Sequence, residues 1–293
     1  MGISQYIKEI GRGPRGSKPL TREQAADLFG QLLDGNVTDL EIGAFCLAMR
    51  IKGETPEEMC GFLDAAHSRM ALFPASDRPV IVLPSYNGAR KLPVLTPLLA
   101  LLLAREGLPV LLHGMRTEAR RTLASDVLLA LGVPALTAPE KIATGSVAHI
   151  ETGYLHAALA RLLKVREVVG LRNAGHSIVK LMNPCAGPAV VVTSYTHPEY
   201  YDMLQATFGA LHMTALLSRG LEGEVATDPR RTPRYDAFVA GVHQLLQEQQ
   251  PGTAADVPGL PTEIDINTPA RYPTDVLDGR LPGPPALAQQ VGH

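Results

Sequence analysis

Positively charged side chains are concentrated in the middle third of the chain, and their number there could serve anion binding. Residues 86–180 carry 12 Lys and Arg against 6 Asp and Glu, a net charge of +6, whereas residues 199–293 carry 6 against 12, a net charge of −6. This imbalance favours phosphates, nucleotides or nucleic acid as partners. The same counts also fit a solvated surface that is rich in arginine, so charge alone leaves both interpretations open.

Histidine and cysteine form no metal-binding motif in the sequence. None of the nine histidines shows a spacing such as His-Glu-x-x-His, and the three cysteines form no Cys-x-x-Cys, so a zinc site is not expected. Cys46 lies close to Phe45, and Cys60 lies beside Met59. This setting is typical of small buried apolar residues in a reducing compartment, and we therefore expect a cytoplasmic protein.

The composition is that of an ordinary globular protein. Of its 293 residues, 45% are hydrophobic and 19% are charged, which suits one large domain or two unequal ones. The longest apolar stretch, Leu98 to Ala104, is far shorter than the about 20 residues of a membrane-spanning helix. No apolar run follows Lys8, Arg12 and Arg15, so neither a secretory signal nor a membrane partner is expected.

Three helices are predicted within the first 70 residues, because three segments fit a capping box. These segments are Thr21-x-x-Gln24, Thr38-x-x-Glu41 and Thr55-Pro56-Glu57-Glu58, and the proline suits the first helical position. Apolar residues follow each cap at helical spacing. They are Ala25, Leu28, Phe29 and Leu32, then Ile42, Phe45, Cys46 and Met49, then Met59, Phe62, Leu63 and Ala66. We predict a helical domain over residues 1–75.

From Pro79 onward the pattern changes to alternating strands and helices. The predicted strands are Val80–Leu83, Leu108–Leu112, Ala189–Val192 and Thr214–Leu217. Helices are predicted between them, including one that begins near His197. The alternation favours an α/β domain over residues 76–293, with a central, mainly parallel sheet flanked by helices. From Pro251 onward, proline and glycine predominate, and this tail is predicted to be extended or partly disordered.

Several segments resemble the anthranilate phosphoribosyltransferases of glycosyltransferase family 3. Residues 32–35 (Leu-Leu-Asp-Gly) and the run from Arg50 to Glu58 are similar to the helical domain of that family. The likeness continues at residues 107–110 and covers roughly residues 20–225. It implies a nucleoside phosphorylase/phosphoribosyltransferase-like fold, in which helices from about residues 150–172 pack on the small helical domain. It also implies a homodimer formed through the N-terminal helices.

The phosphate loop departs from the pattern of that family. Where the family has Gly-Thr-Gly-Gly-Asp, whose bare backbone surrounds a pyrophosphate, this chain has Pro84-Ser85-Tyr86-Asn87-Gly88-Ala89-Arg90-Lys91. Glycines are needed in such a loop because side chains block the close approach of the amides. Gly88 is retained, but a proline and a tyrosine intrude. We therefore predict that the loop no longer holds phosphoribosyl pyrophosphate and that the parent reaction is lost.

Two further family motifs are also altered. His113-Gly114-Met115-Arg116 stands where the family has Lys-His-Gly-Asn-Arg, and the serine-rich run after it now contains Arg120 and Arg121. These cations favour holding a phosphate from outside rather than enclosing it. The family's magnesium-binding Asp-Glu pair is matched by Glu222 and Glu224, and Mg²⁺ takes one or two carboxylates together with substrate phosphates. We expect no cofactor, apart from magnesium if the protein is a transferase.

One family residue is retained in register. Arg166 lies ten residues after His156 and matches the arginine that contacts the carboxylate of anthranilate. It equally fits a salt bridge at the end of a helix, and His156 equally fits packing against a neighbouring helix. The candidate residues of a relic substrate site are Gly88, His113, Gly114, His156, Glu222 and Glu224.

The altered loops and the additional arginines are similar to the YbiB-like branch of the family, whose members are described as dimeric nucleic-acid-binding proteins without the anthranilate activity. The resemblance implies contacts to the sugar-phosphate backbone, with little reading of sequence, in a groove between the two domains. The cations of this groove would be Arg116, Arg120, Arg121, Arg161, Lys164, Arg166 and Arg172. If about five of them neutralise phosphates, log affinity should fall against log salt with a slope of roughly −3.5 to −4.5.

Two other interpretations stay open. The first is a glycosyl or phosphoribosyl transferase acting on another phosphorylated substrate, in which Arg120 and Arg121 clamp the substrate. Glu222 or Glu224 would then hold magnesium or stabilise an oxocarbenium-like centre. The second is an interaction protein that keeps the fold for dimerisation alone. A nucleic acid in the groove would be DNA or RNA, single- or double-stranded, with Tyr86 and the tyrosines at 195, 200 and 201 available for stacking.

Overall fold

Four helices come first in the computed structural model, which describes residues 2–13, 15–262 and 267–293. Three of them begin at the predicted capping boxes, where the threonine hydroxyl and the side chain three residues later each accept a hydrogen bond from the other's backbone N–H. This prediction is confirmed. The helices are α1 (Ser4–Ile10), α2 (Arg22–Leu33), α3 (Asp39–Lys52) and α4 (Pro56–His67).

An eight-stranded sheet occupies the rest of the described chain. Its strand order is β3-β4-β2-β1-β5-β6-β7-β8; the first six strands in that order are parallel, and β7 and β8 are added antiparallel at one edge. The predicted α/β fold with a mainly parallel sheet is therefore confirmed. The strands are β1 (Val80–Pro84), β2 (Val110–Gly114), β3 (Ala135–Leu136), β4 (Val147–Glu151), β5 (Ala189–Tyr195), β6 (Ala215–Arg219), β7 (Tyr235–Val239) and β8 (Val242–Gln247).

Helices cover both faces of the sheet. They are α5 (Thr96–Arg105), α6 (Ala124–Ala130), α7 (Thr152–Leu155), α8 (Ala157–Val169), α9 (Gly175–Ile178), α10 (Glu199–Ala210), α11 (Asn267–Leu277) and α12 (Pro285–Gly292). Successive strand residues alternate between two cores. Val82 and Val191 share a core with α10 and the helical bundle, whereas Leu83 and Val192 share another with α5, α11 and α12.

The helical bundle is closed by an aromatic cluster and completed by later helices. The ring centroids of Phe29 and Phe62 are 5.0 Å apart, and those of Phe45 and Phe62 are 5.9 Å apart. Residues of α8 and α9, such as Leu159 and Ile178, belong to the same hydrophobic core. The bundle therefore depends on segments that lie about 90 residues further along the chain than its last own helix.

The end of the chain departs from its prediction. From Pro251 onward we predicted an extended or partly disordered tail, but α11 and α12 lie in this region and bury Tyr272 and Leu287 against α5. Each helix offers few apolar residues, and Pro273 lies inside α11, so the helical pattern is weak. Residues 263–266 of the predicted tail lie outside the described residues. The β7–β8 hairpin was also not predicted.

Two simple expectations concern the cysteines and the membrane. The three cysteines at positions 46, 60 and 185 are free and buried, as expected for two of them from their apolar neighbours. Within the described residues, we find no helix whose length and apolar character would let it cross a membrane.

Candidate functional site

A cavity of about 460 Å³ lies in the cleft between the helical bundle and the sheet. Its walls come from the end of α3, from α9, from the start of α10 and from the carboxyl end of β5. Open parallel sheets bind ligands at this edge, where the strands end and the loops diverge. The ionisable side chains that line it are Arg50, Glu54, Tyr86, Arg172, His176, Lys180, Tyr195, His197, Glu199 and Tyr200.

Lys180 and Arg172 make this cavity positively charged. The Lys180 ammonium donates a hydrogen bond to the carbonyl of Ser194, and burial, followed by the charge of Arg172, lowers the pKa of Lys180 to about 8. The guanidinium of Arg172 lies 5.9 Å from the ring centroid of Tyr86, within the range of a cation–π contact. Burial raises the pKa of Tyr86 to about 12, so its phenol stays neutral.

Three buried polar atoms around the cavity have no hydrogen-bond partner within the described chain. They are Thr193 Oγ1, Ser194 Oγ and His176 Nε2. Burial, followed by the charge of Arg172, lowers the pKa of His176 to about 3, so this ring is neutral at physiological pH. An unpaired buried polar atom costs about 1–3 kcal/mol. The residues around the cavity therefore combine positive charge with buried polar atoms that the described chain itself leaves unpaired.

The carboxylate of Glu224 lies inside the loop between β1 and α5. Glu224 is only 4% exposed. Its Oε1 accepts the backbone N–H of Asn87 at 3.0 Å and that of Gly88 at 2.8 Å. Its Oε2 accepts the hydroxyl of Ser85 at 2.5 Å and that of Thr96 at 2.9 Å. Four donors of the chain thus converge on one carboxylate.

Glu222, the second candidate magnesium ligand, accepts hydrogen bonds from the same loop. Its Oε2 accepts the backbone N–H groups of Arg90 and Lys91, at 2.9 and 3.2 Å. Mg²⁺ takes one or two carboxylates together with substrate phosphates, and here both oxygens of Glu224 but only Oε2 of Glu222 accept hydrogen bonds from the described chain. Within the described residues, no three His, Cys, Asp or Glu side chains converge. In this arrangement the carboxylate of Glu224 is committed to the loop, whereas one oxygen of Glu222 accepts no hydrogen bond within the described residues.

The other candidates for a relic substrate site have close structural neighbours. Gly88 adopts φ 68°, and a Cβ there would lie 2.7 Å from the carbonyl oxygen of Thr122. At Gly114 a Cβ would overlap the carbonyl oxygen of Ser85. His156 accepts the backbone N–H of Leu159 at 3.2 Å and so caps α8. These contacts give each residue a structural reason for its type.

His113 lies in the core rather than at a surface. It is fully buried, and burial lowers its pKa to about 4. The backbone of Met182 offsets part of this penalty, although neither ring nitrogen makes a hydrogen bond of ordinary geometry within the described residues. The ring is therefore neutral at physiological pH.

Three of the seven predicted cations are paired with carboxylates. Arg116 lies 2.5 Å from Asp126, and Arg121 and Arg166 lie 2.9 and 3.0 Å from the same carboxylate, that of Glu118. The helix-terminal salt bridge considered for Arg166 is therefore present. A phosphate would have to compete with these carboxylates for all three guanidiniums.

Three further cations are exposed and free of ion pairs within the described residues, namely Arg120, Arg161 and Lys164. Arg161 and Lys164 lie three positions apart on α8 and therefore share one of its faces. Arg166 follows Arg161 by five residues, which turns it about 140° away around the helix. The seven predicted cations thus do not line one surface together, and of these seven Arg172 alone lines the cavity.

Arg50, His176 and Lys180 were missed at the sequence level. Lys180 carried a signal, because it interrupts the apolar run of residues 178–182, where a buried cation is unusual. Arg50 and His176 carried none, since their place at the cavity depends on how the bundle packs on the sheet.

Known proteins resemble the chain in sequence and in fold. A family model described as "Glycosyl transferase family, helical bundle domain" matches residues 4–70. The "Uncharacterized protein YbiB" of Escherichia coli is 36% identical over 99% of this chain and 92% of that protein. The anthranilate phosphoribosyltransferase of Methylobacterium nodulans is 32% identical over 76% of this chain and 67% of that protein.

Solved structures share the fold. The crystal structure of anthranilate phosphoribosyltransferase from Thermus thermophilus matches with a TM-score of 0.72 and 22% identity, over 98% of this chain and 85% of that one. The Saccharomyces cerevisiae enzyme, in complex with PRPP and Mg, matches with a TM-score of 0.64 and 13% identity, over 95% and 80%.

Proposed function

Because this chain belongs to the anthranilate phosphoribosyltransferase family, we propose that it uses the family's scaffold to bind nucleic acid, through phosphate contacts and with little sequence specificity. The observation that carries the proposal is the set of exposed cations without carboxylate partners, Arg120, Arg161 and Lys164, in a middle third of net charge +6. When an unpaired cation of the protein neutralises a phosphate, a counterion that was condensed on the nucleic acid is released. This release is the main source of non-specific affinity.

Aromatic residues near the cleft support the same proposal. Tyr195 and Tyr201 contact each other edge to face, with centroids 5.6 Å apart, and His197 lies 6.4 Å from Tyr200. Tyr195, His197 and Tyr200 line the cavity. Stacking on such rings tolerates any base, which fits binding without sequence readout.

A salt titration tests the proposal. Three phosphate contacts predict that log affinity falls against log salt with a slope of about −2 to −3, smaller than the slope expected from five contacts. The triple variant R120A/R161A/K164A should bring this slope close to zero. Single- and double-stranded DNA and RNA oligonucleotides, followed by fluorescence anisotropy, supply the measurement.

A second triple variant controls for the loss of charge. R116A/R121A/R166A removes the same number of positive charges, but from guanidiniums that already face carboxylates. It should change the slope by less than about 1. Equal slopes for the two variants, or a wild-type slope near zero, would contradict the proposal that Arg120, Arg161 and Lys164 contact phosphates.

We extend the proposal to a homodimer formed through the N-terminal helices. Leu40, Leu47 and Ile51 are 84%, 47% and 60% exposed, and their spacing places them on one face of α3. An apolar face of this kind is stabilised by burial against a second copy. Light scattering should give twice the 31.4 kDa of one chain. A mass of one chain at the concentrations of the titration would contradict the dimer.

A transferase acting on another phosphorylated substrate is the second candidate, and the cations of the cavity favour it. Arg50, Arg172 and Lys180 surround a space large enough for a small anionic molecule. Incubation of anthranilate with phosphoribosyl pyrophosphate, and of nucleosides with phosphate, screens for it. Wild-type turnover that is lost in Lys180→Met would favour the transferase over the nucleic-acid-binding protein.

A further inference from the structure

We propose that the loop between β1 and α5 is an oxyanion cradle that the protein fills with its own Glu224 carboxylate, so that this side chain keeps phosphate out of the loop. The inference concerns this loop alone and stands independently of nucleic-acid binding. It assigns to Glu224 the role of an internal ligand, in place of the metal ligand that the sequence suggested.

The donors around Glu224 are those of an anion site. Two backbone N–H groups, from Asn87 and Gly88, and two hydroxyls, from Ser85 and Thr96, point at the two carboxylate oxygens over distances of 2.5 to 3.0 Å. Successive backbone N–H groups in a turn form a concavity that binds phosphate in many proteins. The ionised oxygens of a carboxylate and of a phosphate both accept hydrogen bonds from such donors.

No direct ion pair accompanies this buried charge in the described chain, although Lys180 is close enough for Glu224 to raise its pKa electrostatically. Within the described residues, Glu224 makes no ion pair, although it is 4% exposed. A buried carboxylate without a direct ion pair depends mainly on its hydrogen bonds for stability. The loop therefore holds Glu224 as it would hold a bound anion, by neutral donors arranged around it.

The turn between Gly220 and Thr227 places Glu224 against the loop. Gly220 and Thr227 form an isolated β-bridge, so the residues between them make a short turn with Glu224 inside it. Asn87 Nδ2 donates to the carbonyl of Gly223 at 2.9 Å, and the guanidinium of Arg172 donates to Asn87 Oδ1. Asn87 therefore hydrogen-bonds the loop to the turn beside the carboxylate of Glu224.

Inorganic phosphate and pyrophosphate are the probes that test the proposal. In Glu224→Ala the four donors lose their acceptor, and the variant should bind either probe at about millimolar concentration, at least tenfold more tightly than the wild type. Glu222→Ala is the matched control, because it removes the same charge from a carboxylate that faces exposed amides. This variant should bind the probes no better than the wild type, as measured by calorimetry and by ³¹P line broadening.

The wild-type protein supplies a second measurement in case Glu224→Ala does not fold. In its ¹⁵N–¹H spectrum, the amides of Asn87 and Gly88 should be protected from exchange and should not shift when pyrophosphate is added. Two results would overturn the proposal: a folded Glu224→Ala that binds the probes no better than Glu222→Ala, or a wild-type Gly88 amide that shifts during the titration.

Discussion

Replacing Gly114 by alanine is expected to lower the free energy of unfolding by about 3 kcal/mol. A Cβ at this position would overlap the carbonyl oxygen of Ser85 and lie 2.6 Å from its carbonyl carbon. Both are backbone atoms, so no side-chain rotation relieves the overlap. The N–H of Ser85 donates to the carbonyl of His113 at 2.8 Å, and separating the two segments would break this bond at the end of β1 and β2.

Urea denaturation measures this effect, and Gly209→Ala is the matched control. Gly209 lies within α10, and a Cβ there meets only the carbonyl oxygen of Gly241 at an ordinary 3.9 Å. Because alanine is a better helix former, this control should be neutral or more stable by up to about 1 kcal/mol. If Gly114→Ala were as stable as the control, the two strand ends would not be as close as described.

Replacing His113 by leucine is expected to make the protein more resistant to acid. Burial lowers the pKa of His113 to about 4 from its usual 6.5, so between these values the unfolded chain binds the proton and the folded chain does not. Stability is therefore fully present above pH 6.5 and is lost as pH falls toward 4. At pH 5 this one group should cost the wild type about 2 kcal/mol relative to pH 7.

The comparison between pH 7 and pH 5 isolates this contribution. Neither nitrogen of His113 makes an ordinary hydrogen bond within the described residues, so leucine loses at most the weak interaction with the backbone of Met182 and should fold with similar stability at pH 7. His197→Leu serves as the control, because it makes the same substitution at an exposed position outside the core. An equal loss of stability in His113→Leu and the wild type would show that His113 does not contribute, and that other buried groups such as His176 account for the loss.

Local chemistry made much of the fold predictable. The capping boxes at Thr21, Thr38 and Thr55 are complete within four residues, so the sequence alone contains both partners. Apolar runs long enough to fill a strand likewise marked β1 and β5. The β7–β8 hairpin was not predicted, because most of β8 is exposed and its sequence shows no alternation of buried apolar residues.

The candidate site depends on contacts between residues that are far apart in the sequence, and the sequence alone did not predict these contacts. Arg121 and Arg166 lie 45 positions apart yet share Glu118, which removes two predicted cations from the free set. Glu224 meets Ser85 across 139 positions, so its suggested role at a metal could only be revised once the loop and the turn were seen together. Net charge predicted where cations are numerous, but not which of them lack partners.

The order of strands in the sheet has a consequence for the newly made chain. β1 lies at the centre of the sheet, and Val80 pairs with Ala189, 109 positions later. At about 5–20 residues per second, roughly 5–20 seconds of translation separate the two. During that time β1 presents an open parallel edge, and the helical bundle lacks α8 and α9 until residue 178 has been made. Non-local pairing of this kind folds slowly, so the yield of native protein depends on how well the unfinished edge is protected as the chain leaves the ribosome.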